Sequence, residues 1–245
     1  MEMISEDKLR YIAGEMNLNL IYIEKDYFLT HLLYLIREVE GIYFKGGTAL
    51  NKIFLNHKRL SEDLDFATDR SVNDIRDEIE SLVKKVGFFT RIETDKTTAE
   101  FVRYKVYYKS YFQKESFIIL DINKKASIHL KPEVHEVPNF YGVSFSVNTL
   151  NLKELIAEKV RALITRNQPR DYFDVYYISK KWDIDMNLVE IKTGEAEELF
   201  DVERVFRNAQ KIHSKWKDDI DPLTNDKLDF LECIKTLEKL LRKKG

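Results

Sequence analysis

Lys45-Gly46-Gly47-Thr48-Ala49-Leu50, followed shortly by Arg59-Leu60-Ser61-Glu62-Asp63-Leu64-Asp65-Phe66, is the stretch that decides the fold. Just upstream, Ile42-Tyr43-Phe44 reads as a short buried strand, and Thr48 to Phe54 resumes a helical pattern directly after the glycine pair. Leu64 and Phe66 alternate with acidic residues and predict a second strand. Residues two apart on a strand share a face, so Asp63 and Asp65 converge while Leu64 turns to the core. Glycines without a Cβ let the backbone approach a phosphate, and a helix start offers it N–H groups. Thr48 adds a hydroxyl there. Paired carboxylates on a rigid element are what a divalent cation needs if it is to neutralise a triphosphate and activate an attacking hydroxyl. The stretch thus points to Mg²⁺ under a nucleoside triphosphate.

The D-x-D element alone decides nothing. The chain also contains Asp183-Ile184-Asp185 and Asp219-Ile220-Asp221 among 42 acidic residues, and those two pairs read as caps or surface turns. The glycine pair is rarer, since 8 glycines in 245 residues give about 0.2 adjacent pairs by chance. Order carries the argument: apolar strand, Gly-Gly-Thr, helix, strand with D-x-D, then a further apolar strand. That last strand, Phe117 to Ile122, holds the single carboxylate Asp121. Asp121 is either a functional carboxylate or a cap for the next turn. Lys45 and Arg59 flank the two motifs and either touch phosphate or act as surface charges and partners of Glu62.

Working outward, residues 5–16 and 22–38 read as helices. In the second, Phe28, Leu32, Leu35 and Ile36 recur on one face and Gly41 closes it. Ser71 or Asn73 is an N-cap for a helix running to about Val86, ended by Gly87. From Phe88 to Val147 the pattern is of strands, with Phe101 to Tyr108 aromatic, β-branched and alternating. Its tyrosines suit a core or interface face more readily than base stacking. From Leu150 the chain reads as helical to its end. The expected fold is α+β, with a domain at 1–149 built of helices around a mixed sheet and an all-helical domain at 150–245.

Composition fits a globular chain: 44% hydrophobic, 12% aromatic, with only 8 Gly and 4 Pro. Cys233 is the only cysteine, the first residues lack the basic-then-apolar order of a signal peptide, and no apolar run nears membrane-spanning length. A soluble cytoplasmic protein with no membrane association is expected. The net charge of −2 gives no global basic field, although residues 153–181 carry seven Lys or Arg against four Asp or Glu. The five histidines show no metal-ligand spacing.

Lys45 to Leu50 with Arg59 to Phe66 resembles the AbiEii/AbiGii toxin family of the DNA polymerase β-like nucleotidyltransferase superfamily. Glu24-Lys25-Asp26-Tyr27 is similar to that family's segment upstream of the glycines. Glu158-Lys159-Val160-Arg161-Ala162-Leu163, with Arg166 and Arg170-Asp171-Tyr172-Phe173-Asp174, is similar to its two C-terminal motifs, so the resemblance covers about residues 20–180. It implies that Asp63 and Asp65 bind metal, with Asp121 as third ligand or as base. It implies that Gly46, Gly47 and Thr48 contact the β- and γ-phosphates, with Lys45, Arg59 and Ser61 beside them. Lys159 would reach the nucleotide and Asp174 would complete the catalytic set. The implied activity is Mg²⁺-dependent transfer of a nucleoside monophosphate from an NTP to an acceptor hydroxyl, in a toxin with a cognate antitoxin. Family members that add nucleotides to the 3′ end of tRNA make tRNA the expected acceptor. A protein or small-molecule acceptor, or a nucleotide-binding or partner-binding module without turnover, are the alternatives.

Overall fold

The computed structural model describes residues 3–124 and 127–244, which form two compact units, Met1–Leu150 and Asn151–Gly245. The first unit opens with α1 (Glu6–Met16), capped by Ser5, and α2 (Leu20–Ile36), capped by the Asn19 side chain. The sequence predicts one apolar face for the second helix. Instead, every residue from Asp26 to Leu33 is buried, so α2 is a core helix enclosed on all sides. Its buried polar side chains must then find partners inside the protein.

Together with half-buried Lys25, they find them in five different segments. Glu24 accepts from the Ser110 hydroxyl at 2.7 Å and from the Tyr111 amide. Lys25 lies 3.3 Å from Glu62, just before Asp63. Asp26 receives Lys52 Nζ at 2.7 Å in a pair that is almost wholly buried. The Tyr27 hydroxyl accepts from the Ile4 amide at 2.9 Å. The Tyr141 hydroxyl also lies 3.0 Å from Asp26 Oδ2. Glu24 to Tyr27 therefore tie together the segments that surround the sheet.

A seven-stranded mixed sheet fills the rest of the unit. Its strands are β1 (Ile42–Lys45), β2 (Asp63–Thr68), β3 (Arg91–Thr97), β4 (Phe101–Tyr108), β5 (Ser116–Asn123), β6 (Glu133–Glu136) and β7 (Ser146–Thr149), in the order β3-β4-β5-β2-β1-β7-β6. β2 is central, antiparallel to β1 and parallel to β5. Leu64, Val102, Tyr104, Val106, Tyr108, Ile118, Leu120 and Ile122 are buried while their neighbours along the strands are not, as period-two patterning requires, and β2 is buried continuously from Phe66 to Thr68. Tyr104 and Tyr108 of β4 are core residues, with Tyr108 stacked on Phe28 at 3.9 Å between ring centres, while Tyr107 is half-buried on the opposite face.

The helix after β1 begins on the glycines themselves. α3 (Gly46–Ala49) runs into one π-helical turn (Leu50–Phe54), where the Leu55 amide bonds the Leu50 carbonyl at 2.8 Å. α4 (Val72–Lys85) follows β2 and buries Ile75, Ile79 and Val83.

The second unit is helical throughout: α5 (Leu152–Thr165), α6 (Pro169–Ser179), α7 (Met186–Gly194), α8 (Val202–Arg207), α9 (Ala209–Ile220) and α10 (Phe230–Lys244). The two other D-x-D pairs are helix boundaries here. Asp185 caps α7 by accepting from the Leu188 amide, and Asp221 stands at the C-terminal end of α9. Cys233 is buried, and desolvation pushes its thiol well above its ordinary value. No helix among the described residues is long and apolar enough to cross a membrane.

Candidate active site

Strand register aligns four charged residues in a row across the sheet. Lys45 on β1 stands opposite Asp65 on β2, Asp65 beside Asp121 on β5, and Asp121 opposite Arg103 on β4. Register partners point to the same side of a sheet, so the row presents charges in the order plus, minus, minus, plus. Asp63 lies two residues from Asp65 on this face, and Asp63, Asp65 and Asp121 are all half-buried, open enough to meet a ligand.

Gly46 is locked to this row. It has φ of +76°, and a Cβ placed on it would lie 2.2 Å from Asp65 Oδ2. Only glycine lets the turn pass so close to that carboxylate. Thr48 ties the same turn to β2 from the other side, because its buried hydroxyl donates to the Asp63 carbonyl. That hydroxyl, expected at a phosphate, is thus used in fixing the turn. Asn51 extends the bracing: its amide donates to the Gly47 carbonyl at 3.0 Å, and its oxygen accepts from the Arg59 amide at 3.2 Å. Arg59 itself is 3% exposed and donates to the Leu60 carbonyl at 2.9 Å, which places it inside the loop that delivers β2. Ser61 is half-buried in that loop.

Asp121 does not have a free carboxylate. Arg103 grips it with both prongs, Nε to Oδ1 at 2.8 Å and Nη2 to Oδ2 at 2.7 Å. These bonds, with Asp63 close enough to add to them, hold the guanidinium firmly cationic. Among the described residues no three Asp, Glu, His or Cys side chains are gathered as a ready metal cage. The donor chemistry still suits Mg²⁺. That ion is held by one or two carboxylates together with substrate phosphates and water rather than by an all-protein cage, and Asp63 and Asp65 supply two hard oxygen donors on one open face. Arg103 was not legible as a site residue, since a lone arginine on the polar face of a strand reads as a surface charge.

In the helical unit, Lys159 is 4% exposed and lies between two buried aspartates, 3.1 Å from Asp171 and 3.0 Å from Asp174. Asp171 also takes a two-pronged bond from Arg166, at 2.6 and 2.9 Å. Burial alone would raise the Asp171 carboxyl, but Lys159 and Arg166 outweigh it and hold it below its ordinary value. Asp171 and Asp174, one helical turn apart, thus present jointly to one lysine. Asp171 is the residue underweighted by the sequence, and its spacing from Asp174 is the signal that marks it. Of the seven basic residues at 153–181, Lys159 and Arg166 are engaged in this internal pairing. A cleft of about 260 Å³ lies beside it, lined among others by Arg166, Asn167, Gln168, Asn208, Lys211 and Lys215.

The description "Nucleotidyl transferase AbiEii toxin, Type IV TA system" matches residues 27–243. The chain belongs to the AbiEii nucleotidyltransferase toxin family. AbiEii members are nucleotidyltransferases, so the chain is an enzyme of that class, and membership in a type IV toxin–antitoxin family implies an NTP substrate and an antitoxin partner. Its fold is similar to that of MenT4, a nucleotidyltransferase toxin from Mycobacterium tuberculosis H37Rv, with a TM-score of 0.74 and 20% identity over 97% of this chain and 88% of that one. It is also similar to JHP933 from Helicobacter pylori, with a TM-score of 0.64 and 20% identity over 92% of each chain. No curated protein matches the sequence. The AbiEii assignment accounts for the mixed sheet with flanking helices followed by a helical region.

Proposed function

We propose that this AbiEii enzyme transfers a nucleoside monophosphate from an NTP to the 3′-terminal hydroxyl of tRNA, using Mg²⁺ held by Asp63 and Asp65. The observation that carries the reading is the contact of Gly46 with Asp65, since it sets a phosphate-accepting turn directly against a carboxylate of the D-x-D pair. Mg²⁺ held there would neutralise triphosphate charge and lower the pKa of the attacking hydroxyl. The chain's own contribution is positioning. Gly46 and Gly47 open a helix whose first amides have no partner within it and suit phosphate oxygens. Lys45, half-buried in the same row, adds a positive charge beside them. Thr48, Asn51 and Arg59 keep the turn and β2 in fixed register, which is where a transfer without covalent catalysis gains most of its rate. Asp121 stands next to Asp65 as the third carboxylate of the face. Lys159 and Asp174 belong to the proposal as residues required for transfer.

An RNA acceptor is supported by the cleft of the helical unit. Neither Lys211 nor Lys215 has an ion-pair partner among the described residues, so both charges are available to phosphodiesters. A soluble setting where tRNA and NTP meet, the cytoplasm, follows from the same reading.

The test is incorporation of each labelled NTP into total tRNA with Mg²⁺, for the wild type and for Asp65→Asn. The variant keeps side-chain shape and should fold normally while losing at least about 10²-fold in rate. Near wild-type incorporation by Asp65→Asn would refute the assignment. Label entering protein and not RNA would overturn the acceptor.

A further inference from the structure

Asp26 and Lys52 form a buried ion pair within the first unit, each side chain 2% exposed, and neither takes part in the transfer chemistry above. The three Nζ protons of Lys52 find three acceptors: Asp26 Oδ1 at 2.7 Å, Asp26 Oδ2 at 2.9 Å and Thr30 Oγ1 at 3.1 Å. Thr30 in turn donates to the Asp26 carbonyl at 2.7 Å. The Tyr141 hydroxyl lies 3.0 Å from Asp26 Oδ2 and 2.9 Å from the Ile23 carbonyl. Such a pair is a poor source of stability, because desolvation consumes most of the attraction and apolar residues often do as well. What it supplies is direction. Apolar contact is non-directional and tolerates sliding, whereas three donors on three acceptors fix one point in space.

The fixed point lies in the π-helical turn that continues α3. Such turns are rare and occur mostly at functional sites. Here the Leu55 amide takes the Leu50 carbonyl, and the Asn51 carbonyl accepts instead from the His57 amide at 2.8 Å. The near end of this helical stretch is pinned to β2 by the Thr48 hydroxyl. Its far end is pinned to α2 by Lys52. One anchor would let so short a stretch pivot, and two fix its axis. We propose that Asp26 and Lys52 are positioning residues for the NTP: by anchoring the far end of the stretch that Gly46 opens, they aim Gly46 and Gly47 at the triphosphate.

That role rests on the glycine turn being the phosphate site, and the test separates the two. The probes are non-hydrolysable analogues of the four NTPs with Mg²⁺, titrated calorimetrically into the folded full chain, with urea denaturation of every variant. Gly46→Ala should weaken the analogue that the wild type binds by at least about tenfold. No change there would remove the phosphate reading, and the role of the pair with it. Given that loss, Asp26→Leu combined with Lys52→Met removes both charges together and strands neither. Thr30 and Tyr141 keep the Asp26 and Ile23 carbonyls as acceptors. The urea midpoint of this double variant should stay near that of the wild type, while its analogue affinity should fall on the order of tenfold as the turn loses its aim. Wild-type affinity in the folded double variant would overturn the inference, whether or not the urea midpoint falls, because a purely structural pair would affect stability alone. Asp26→Asn with Lys52→Gln is neutral but can still form a hydrogen bond between the two side chains, and it should lose less, about threefold. It carries the test if the apolar pair does not fold, and unchanged affinity in it would then overturn the inference.

Discussion

Replacing Gly46 by alanine adds one carbon and two hydrogens, yet it should cost this enzyme most of its activity. The new Cβ would lie 2.2 Å from Asp65 Oδ2, 2.9 Å from its Cγ and 3.0 Å from its Cβ, whereas ordinary contact begins at 3.4 Å. The gap to be opened is 3.4 − 2.2 = 1.2 Å. β2 is paired on both sides and cannot retreat, so the Asp65 carboxylate must swing. A misplacement of about 1 Å in a positioned site costs roughly 10²-fold in rate. The φ of +76° adds backbone strain of about 1–2 kcal/mol in stability. Gly142→Ala separates the two effects: Gly142 has φ of +74° with open space around its Cβ position, so it shares the strain and lacks the clash. Initial rates of labelled nucleotide incorporation, with urea denaturation of each variant, give the comparison. Gly46→Ala should lose at least as much stability as Gly142→Ala, and only Gly46→Ala should lose about two orders of magnitude in rate. A Gly46→Ala enzyme within threefold of wild type, or equal losses in both, would refute the coupling of turn and carboxylate.

Lys159→Met should destabilise the helical unit by about 3 kcal/mol, because it takes a shared counter-charge from two wholly buried carboxylates, of which Asp171 keeps Arg166; a urea midpoint that hardly moves would show that the lysine is not the counter-charge. The pH dependence of stability should fall in part on His31, whose ring, stacked on Phe88 at 4.2 Å, is pushed down to about 4 by desolvation. Its folded value lies below the ordinary 6.5, so its contribution is complete above about pH 6.5 and is lost as pH falls toward 4, at most about 3 kcal/mol. His57 is lowered to about 4 as well, mainly by burial and then by Lys52, so His31→Phe should flatten the curve between pH 4 and 6.5 only partly. A His31→Phe curve that overlays the wild type would exclude His31 as a contributor.

The strand, glycine turn, helix and D-x-D strand could be read from residues 42–66 because all of them are local in sequence, and local periodicity reports them. The alignment of Lys45, Asp65, Asp121 and Arg103 could not. It depends on the register of four strands, and β2 pairs with β5 across an intervening helix and two strands. Asp121 was singled out by its apolar run, but the arginine that grips it carries no pattern of its own. Arg59 was legible as a charge near the motif and not as a buried brace, since burial of a cation is decided by the carbonyls around it. The α2 pattern suggested one apolar face because its polar residues look solvent-facing in sequence. In the protein those residues, Glu24 and Asp26 among them, are partnered inside the core.

Those inward-facing residues also bear on how such a toxin could be attenuated. Glu24, Lys25, Asp26 and Tyr27 occupy a single helical turn, but their side chains diverge to the 110–111 loop, the loop before β2, the helix after the glycines and the N-terminal segment. No two of these tethers secure the same segment, so cutting one loosens one wall of the scaffold and leaves the others anchored. Substitutions along this turn would therefore yield a graded series of weakened enzymes with every metal-facing and phosphate-facing group intact. Such partial-strength toxins would be useful for measuring how much activity an antitoxin must hold in check.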